Sequence, residues 1–317
     1  MARTTKLLLT GPPCASAAGA ERRLDLNIPQ WFSSALAAPV QECTTTVAGC
    51  TISYRCWGPA GAAGIILVHG GAAHARWWDH IAPMLGPGYR VAALDLSGHG
   101  DSGRRETYTL EQWSAEVVAV GNDAGMAADP VVIGHSMGGF VALATAQRHP
   151  QQISGVVVLD SPVRDRTPEE IAAAQHAAFG PLRVYPDRAQ ALSRFRTIPP
   201  QHNNLPYIMD HVAQTSLRET GGGWTWKFDP RIFGRQRPAP ELLRSVTARV
   251  ALFRSEHGLL TPEIGAQMYE LLGRVAPVIE IPLAGHHMML DQPLSLITGL
   301  RTLLADWQHS DPRQRWD

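Results

Sequence analysis

One short motif in the chain has the residue types of a nucleophilic site. Gly134-His135-Ser136-Met137-Gly138 has the pattern G-x-S-x-G, between a run of apolar residues typical of a strand and a segment typical of a helix. On such a sharp turn Ser136 stands in strained backbone geometry, and larger side chains in place of Gly134 and Gly138 would collide with neighbouring elements. The turn also leaves the amide of Met137 free at the helix start to stabilise an oxyanion. The motif therefore predicts Ser136 as a nucleophile in acyl transfer.

A second oxyanion donor is expected in an earlier loop. His69-Gly70-Gly71 follows a buried strand and precedes the first helix of the predicted core. We assign the donor to the amide of Gly71, because it lies next to the end of that strand. We expect His69 itself to be structural and to bond to loop backbone.

The elements around these motifs alternate between strands and helices. Continuous apolar runs, typical of strands buried on both faces, are followed by segments with helical spacing. This alternation predicts an α/β fold with a doubly wound, mostly parallel sheet, which an antiparallel hairpin around Ala48-Gly49 opens. The predicted strands are Cys43 to Trp57 as the hairpin, Gly64 to Val68, Arg90 to Leu94, Pro130 to Ile133, Val156 to Leu159, Arg249 to Phe253 and Val278 to Ile281. The predicted helices are those around Trp78 to Leu85, Leu110 to Val120, Gly138 to Arg148, Pro262 to Leu272 and Leu294 to Trp307.

The alternation stops after Pro162. Residues 163–246 contain no buried-strand run, open with Glu169-Glu170 before an Ala-rich helix, and are interrupted by prolines and by Gly221-Gly222-Gly223. This pattern predicts an inserted, mainly helical cap between two parts of the core, at 24–162 and 247–317. Residues 1–23 are expected to form a disordered leader, although a secretory signal is a weaker alternative.

The expected cap also contains candidates for substrate contacts. Its apolar residues either line an acyl pocket or pack the cap onto the core, and two arginines either bind a substrate carboxylate or lie on a solvated helix face. The apolar candidates are Trp224, Trp226, Phe228, Tyr207, Ile208 and Met209, and the arginines are Arg194 and Arg196.

Composition narrows the class of partner. The 28 Lys and Arg balance the 28 Asp and Glu, so the chain lacks the basic surface that a nucleic-acid partner requires. No apolar run reaches the length of a membrane helix, so we expect a soluble protein with no membrane partner. The four cysteines are Cys14, Cys43, Cys50 and Cys56, and they have no zinc-site spacing. We therefore expect free thiols, a cytoplasmic location and a small, weakly charged substrate, and the sequence leaves the oligomeric state open.

In this order along the chain, the motifs resemble those of the α/β-hydrolase fold. The resemblance runs from about residue 40 and includes His69-Gly70-Gly71, the loop Asp95 to Ser102, the Ser136 turn and Ala284-Gly285-His286. It is strongest to capped esterases, to carbon–carbon bond hydrolases of aromatic breakdown and to cofactor-free haloperoxidase-like esterases. The resemblance implies that His286, directly after Gly285, is the general base rather than its neighbour His287. It also implies that the loop containing His99 is structural.

The expected acid is missing from its usual place. Most members of the family have an aspartate shortly after the strand that corresponds to Val250 to Phe253, but here Gly258 stands at that position. Two carboxylates remain as candidates for the acid that orients His286. Asp160, at the end of an earlier strand, is favoured, and Glu256 is the alternative.

The resemblance and the serine together imply a reaction class. Family members that hydrolyse epoxides or haloalkanes use an aspartate nucleophile, whereas a serine points to acyl transfer. We expect a serine hydrolase of carboxylesterase type that acts on a small carboxylic ester through an acyl-enzyme, with neither a metal nor an organic cofactor. The alternatives are a carbon–carbon bond hydrolase and a non-catalytic binding scaffold of the same fold.

Overall fold

The computed structural model of the protein describes residues 27–170, 181–234 and 238–310. The expected leader at 1–23 lies outside the described residues. So does all but the first turn, at 168–170, of the Ala-rich helix expected after Glu169-Glu170. Cys14 lies outside them as well.

A single large sheet forms the centre of the described chain. Its strand order is β1-β2-β4-β3-β5-β6-β9-β10, where the strands in chain order are β1 (Gln41–Val47), β2 (Cys50–Trp57), β3 (Ala63–Val68), β4 (Tyr89–Leu94), β5 (Val131–His135), β6 (Gly155–Leu159), β7 (Leu217–Thr220), β8 (Gly223–Trp226), β9 (Arg249–His257) and β10 (Val278–Gly285). β2 is antiparallel to β1 and to β4, and all other neighbours in this sheet are parallel. The predicted mostly parallel sheet is therefore confirmed.

The predicted hairpin opens this sheet. Val47 pairs with Cys50 across the turn. The two residues between them, Ala48 and Gly49, have φ values of 46° and 75°. A two-residue turn with positive φ at both central positions has the twist that joins antiparallel strands, so the local sequence determines this register.

Helices cover both faces of the sheet. In the described residues the α-helices, besides the turn at 168–170, are α1 (Gln30–Leu36), α2 (Leu110–Asp123), α3 (Met137–Arg148), α4 (Arg188–Ser193), α5 (Pro206–Thr215), α6 (Glu241–Arg244), α7 (Pro262–Leu271), α8 (Met288–Asp291) and α9 (Pro293–His309). On strand β3, Ile66 and Val68 belong to one apolar cluster, with α2 and α3, and Ile65 and Leu67 belong to another, with α9. Successive residues of a strand point to opposite faces, so a strand covered on both faces is apolar throughout.

One predicted helix is wrong. The segment from Trp78 to Leu85 contains no α-helix and instead has two short 3-10 helices nearby, at Ala75–Trp78 and Ala82–Met84. Pro83 has no backbone N–H and its ring clashes with the carbonyl four residues earlier, so a continuous α-helix cannot run through it. The apolar spacing that suggested a helix reflects burial, since Trp78 is only 1% exposed.

The described residues between 163 and 246 contain strands as well as the expected helices. They include α4, α5 and α6, and β7 and β8 pair as an antiparallel hairpin that was not predicted, with Thr220 opposite Gly223. Gly221 and Gly222 form its turn. Each strand has only four residues, which is too short for an alternating pattern to stand out from the sequence. We refer to residues 163–246 as the covering segment, and its domain boundaries stay a prediction.

Two further predictions concern the cysteines and the absence of a membrane helix. Cys43, Cys50 and Cys56 are free thiols. Among the described helices, none combines the length and the apolar character needed to cross a bilayer. The compartment in which the protein works stays a prediction.

Candidate active site

The turn at Ser136 has the strained geometry that the motif predicts. Strand β5 ends at His135, helix α3 begins at Met137, and Ser136 between them has φ 54° and ψ −116°. A Cβ atom on Gly134 would overlap the carbonyl oxygen of Gly138, and one on Gly138 would overlap that of Val68. Both glycines are therefore needed for the strand and the helix to approach this closely. A strained residue of this kind costs about 1–3 kcal/mol, which the surrounding sheet offsets.

Three side chains that are distant in the sequence form a hydrogen-bonded chain at this turn. The Nε2 atom of His286 lies 3.0 Å from Ser136 Oγ, and its Nδ1 lies 2.7 Å from Asp160 Oδ2. His286 is 4% exposed and Asp160 is fully buried. Because a carboxylate accepts hydrogen bonds, Nδ1 carries the hydrogen and Nε2 accepts the Ser136 O–H. Their arrangement is that of a nucleophile, a base and an acid, and the catalytic roles stay a prediction.

Each of these residues is the first one after a strand. Ser136 follows β5, Asp160 follows β6 and His286 follows β10. Because these strands are parallel, their carboxyl ends meet at one edge of the sheet. The fold thus positions the three side chains by the hydrogen-bonded register of the sheet.

The Asp160 carboxylate is held by backbone amides as well as by His286. Leu259 N donates to Oδ2 at 2.7 Å, while Leu260 N and Ser255 N donate to Oδ1 at 3.0 and 3.3 Å. A buried carboxylate is costly unless it is fully hydrogen-bonded, and these donors offset that cost. They come from the end of β9 and the loop after it, where the family usually has its acid.

The structure explains why a glycine, and not an acid, stands at position 258. A Cβ atom on Gly258 would overlap the carboxylate group of Asp160. The space is therefore filled by an acid that reaches it from the neighbouring strand β6. The alternative acid Glu256 does not reach His286: its side chain is exposed, and its Oε2 accepts a hydrogen bond from Leu283 N at 2.7 Å. Glu256 as the partner of His286 is thus wrong, because its side chain is directed to another loop.

The loop that carries His286 is fixed at three points. Gly285 N donates to Asp291 Oδ2 at 2.6 Å, His287 N donates to Gln201 Oε1 at 2.8 Å, and His135 Nε2 lies 2.8 Å from the carbonyl oxygen of His286. Gln201 Nε2 also donates to Asp291 Oδ2 at 2.9 Å. These contacts hold the backbone on both sides of the imidazole.

Sequence reasoning missed the three residues that make these contacts. His135 is the variable position before the serine in the motif, and Asp291 comes five residues after His286, so nearness to a motif was a usable signal for both. Gln201 lies in the covering segment and has no motif around it. Its amide occupies the space that a Cβ atom on Gly285 would need, and only the structure reveals that relation.

The neighbouring residue His287 has a different environment from His286. Its ring lies 5.6 Å from that of Trp77, between ring centroids, and is 5% exposed. Burial, followed by the nearby His286, lowers the pKa of His287 to about 3. Burial also holds the pKa of His135 well below its ordinary value. Both rings are therefore neutral at physiological pH.

The predicted oxyanion donors and the serine line one cavity. Met137 is the first residue of α3, so its N–H has no partner within the helix. A Cβ atom on Gly71 would lie 3.9 Å from Met137 Sδ, and both residues line the same cavity as Ser136. Their role as oxyanion donors stays a prediction.

His69 is a structural residue in the loop that contains Gly71. Its Nε2 accepts a hydrogen bond from Leu96 N at 3.1 Å, so its Nδ1 carries the hydrogen and donates to Gly70 O at 2.7 Å. Burial lowers the pKa of His69 to about 4, which keeps the ring neutral. The ring thereby ties the loop that contains Gly71 to the loop after β4.

A cavity of about 670 Å³ opens above Ser136 and His286. Of the apolar candidates in the covering segment, Trp226 and Phe228 line it. The other candidates do not: Ile208 is buried in the core, and the Tyr207 ring packs against Phe32 at 4.9 Å between centroids. Trp224 and Met209 are likewise absent from the described lining.

The wall of the cavity is rich in arginine. Four arginines contribute to it, and of the described residues that line it, none is Asp or Glu. No described acid forms an ion pair with Arg194 or Arg196, in contrast to the surface pair of Arg164 and Glu170. The wall therefore favours negatively charged groups. The four are Arg166, Arg183, Arg194 and Arg196.

A family model for the alpha/beta hydrolase family matches residues 65–297, and the chain belongs to this family. The esterase Rv0045c of Mycobacterium tuberculosis is 27% identical over 274 residues, which is 84% of this chain and 90% of that protein. The pimeloyl-[acyl-carrier protein] methyl ester esterase of Edwardsiella ictaluri is 33% identical over 102 residues, which is 32% of this chain and 38% of that protein.

Solved structures have the same fold. The hypothetical protein PA1622 of Pseudomonas aeruginosa has a TM-score of 0.68 at 25% identity, covering 85% of this chain and 99% of that one. A thioesterase domain from the curacin biosynthetic pathway has a TM-score of 0.68 at 22% identity, covering 83% and 99%. These likenesses confirm the α/β hydrolase fold. The family and its esterase relatives support a hydrolase that acts on esters.

Proposed function

We propose that this chain is a serine hydrolase that cleaves a small carboxylic ester, or a related carbonyl compound, through an acyl-enzyme on Ser136. One observation carries the proposal: Ser136 Oγ and the Asp160 carboxylate lie 3.0 and 2.7 Å from opposite nitrogens of one imidazole. This arrangement can remove a proton from a serine and stabilise the resulting imidazolium. Membership of the hydrolase family and esterase relatives support the reaction class.

Acylation uses the contacts at the turn. Ser136 Oγ forms a bond to the ester carbonyl carbon while its proton passes to His286 Nε2. The carbonyl oxygen becomes an oxyanion that accepts hydrogen bonds from the amides of Met137 and Gly71. The imidazolium, stabilised by Asp160, then gives its proton to the leaving oxygen as the carbon–oxygen bond breaks, and the alcohol departs.

Deacylation repeats these steps with water. His286 Nε2 accepts a proton from a water molecule, whose oxygen bonds to the acyl carbon. The second oxyanion uses the same two amides, and its collapse returns the proton to Ser136 Oγ and releases the carboxylic acid. The three fixed points of the His286 loop keep Nε2 in place through both halves of the reaction.

The arginines of the cavity wall favour a substrate that carries a negative charge. Arg194 and Arg196 have no acidic partner among the described residues, and a guanidinium binds a carboxylate with two parallel hydrogen bonds. An ester with a free carboxylate in its acyl or alcohol part fits this wall. One relative is named for the methyl ester of a pimeloyl-carrier protein.

The same arginines support a second candidate function. A carbon–carbon bond hydrolase of aromatic breakdown products also acts on a substrate with a carboxylate. Comparing hydrolysis of the monomethyl ester of a dicarboxylic acid with cleavage of a dienoic ketone acid separates the two reactions. We place ester hydrolysis first, because both relatives described above are named as esterases.

The test of the proposed function is covalent labelling of Ser136. A fluorophosphonate probe should modify Ser136 in the folded full chain, with the adduct located by mass spectrometry, and Ser136→Ala should not be labelled. We expect that variant to fold normally and to lose at least about 10³-fold in kcat on p-nitrophenyl acetate. A folded chain that the probe leaves unmodified would instead be a non-catalytic scaffold of this fold.

A further inference from the structure

Three histidine side chains meet beside Ser136. One ring nitrogen of each of His135, His286 and His287 lies within 4.8 Å of a ring nitrogen of the other two, and all three residues are buried. The ring centroids are 4.7, 4.8 and 5.5 Å apart. All three residues line the same cavity. A small ion that enters this cavity therefore reaches three imidazoles at once.

Two of these rings already have the outer contacts of metal ligands. The Nε2 of His135 faces the carbonyl oxygen of His286, which can only accept, so Nε2 carries the hydrogen and Nδ1 keeps a lone pair. The Nδ1 of His286 donates to Asp160, so its Nε2 keeps a lone pair. Metal-binding histidines almost always donate their second ring nitrogen to a carboxylate or a backbone carbonyl in this way.

The third ring has a nitrogen that accepts no hydrogen bond from the described residues. The backbone of Ile198 and Pro199 lies close enough to His287 to raise its pKa against the effect of burial, although neither ring nitrogen makes a hydrogen bond of full geometry. A neutral imidazole has one donor and one acceptor nitrogen, and a carbonyl can serve only the donor, so the buried acceptor stays unmet at a cost in free energy. A ligand that binds the acceptor nitrogen removes part of that cost.

We propose that His135, His286 and His287 bind one first-row transition-metal ion, such as Zn²⁺, Ni²⁺ or Cu²⁺, and that this ion inhibits the enzyme. Imidazole nitrogen suits these ions, whereas Mg²⁺ and Ca²⁺ prefer oxygen ligands. The ion takes the lone pair of His286 Nε2 that otherwise accepts the Ser136 proton. Inhibition rests on the proposed function of His286, but binding does not.

The site is an inhibitory one rather than a cofactor site. Zinc binds histidine nitrogen at about 2.0–2.1 Å, which places the nitrogens of a tetrahedral site about 3.3 Å apart. Here their separations extend to 4.8 Å, so the rings must close around the ion. That movement weakens binding, and we expect a Kd of about 1–100 µM, far weaker than that of a structural zinc site.

Metal binding is measured first in a variant that lacks the proposed nucleophile, so the result does not depend on activity. Ser136→Ala keeps all three histidines, and isothermal titration calorimetry of the full chain with ZnCl₂ should give one site. The site is absent if titration to about 1 mM gives no heat of binding. This result stands whether or not Ser136 is the nucleophile, so it separates the metal site from the proposed function.

Substitutions then locate the ion. In the Ser136→Ala background, His287→Gln and His135→Gln should each weaken the Kd by at least about tenfold, since each removes one ligand while keeping polar atoms of similar reach. His149→Ala, at the far end of α3, is the matched control and should bind zinc unchanged. Equal affinity in all of these variants would place the ion elsewhere and overturn the proposal.

Activity provides the second measurement. In the chain with Ser136 intact, about 100 µM ZnCl₂ should reduce hydrolysis of p-nitrophenyl acetate several-fold, and EDTA should restore it. MgCl₂ at the same concentration should have no effect. The zinc concentration that halves the activity should rise at least tenfold in His287→Gln, relative to that variant's own uninhibited rate. Zinc that binds in the calorimeter but leaves hydrolysis unchanged would overturn the inhibitory half of the proposal.

Discussion

The strand ends beneath the cavity and the covering segment above it are built in opposite ways. Below, Ser136, Asp160 and His286 each follow a strand of one sheet, and the sheet's hydrogen bonds determine their relative positions. Above, the described residues of the covering segment form short helices, a small hairpin and connecting loops, with exposed arginines along the cavity wall. On the proposed function, the strand ends would carry the chemistry and the covering segment would contact the substrate.

The separation between these regions is incomplete at one residue. Gln201 belongs to the covering segment, yet its side chain binds the backbone next to His286 and the carboxylate of Asp291. The covering segment therefore also helps to position the proposed base. Substitutions in each region test how far the division holds.

The largest effect is expected for His286→Ala. This change removes the base that accepts the Ser136 proton, so kcat on p-nitrophenyl acetate should fall at least about 10³-fold, as for Ser136→Ala. His287→Ala is the matched control and should lose about tenfold or less, because its ring makes no hydrogen bond to Ser136. If the two effects were exchanged, the role of base would move to His287.

The next effect is expected for Asp160→Asn. The amide keeps the shape of the side chain but no longer stabilises the imidazolium, so kcat should fall about 10²–10³-fold with little change in KM. Glu256→Gln serves as its control and should stay within about threefold of the unmodified chain, because Glu256 binds only Leu283 N in the structure. Measuring kcat and KM of both variants on the same ester decides which carboxylate is the acid. A larger loss for Glu256→Gln would mean that the acid comes from β9 after all.

A smaller effect is expected for Gln201→Ala. His287 N loses its acceptor and the His286 loop loses one of three fixed points, so kcat should fall about tenfold while KM changes little. Asn204→Ala is the control, because Asn204 binds Gln201 Nε2 but makes no hydrogen bond to the loop in the described residues. A change in KM alone would show that Gln201 acts on substrate binding and not through His286.

The smallest effect is expected for the double substitution of Arg194 and Arg196 by alanine. Exposed charges contribute little each, so KM for the monomethyl ester of a dicarboxylic acid should rise about three- to tenfold. KM for a neutral ester should stay the same, and so should both values in Arg301→Ala, on the outer helix α9. An equal rise for the neutral ester would assign these arginines to the structure of the wall rather than to charge recognition.

Much of the sheet could be predicted from the sequence because its signals are local. The run Ile65 to Val68 is apolar at every position, as burial on both faces requires, and Ala48-Gly49 forms the two-residue turn of the hairpin. The prediction of a helix near Trp78 was wrong because Pro83 interrupts the segment. In so short a segment, buried apolar residues can show the spacing of a helix without forming one.

The covering segment was harder to predict for a physical reason. The elements described between residues 188 and 244 are four to ten residues long, and short elements take their shape from the surface on which they pack. Aromatic residues of this segment therefore lie in different environments, which their residue type does not predict. Trp226 lines the cavity, whereas Tyr207 packs against Phe32.

The sequence by itself determined the turn at Ser136, because Gly134 and Gly138 act within five residues and their lack of side chains is what allows strand and helix to meet. Only the tertiary structure decided which acid faces His286 and which of two adjacent histidines faces Ser136. Those contacts join residues 126 and 150 positions apart. They depend on which strands become neighbours in the sheet and on how the His286 loop is held, neither of which is a local property. Gly258 illustrates this: its meaning becomes clear only once the Asp160 carboxylate is seen in the space beside it.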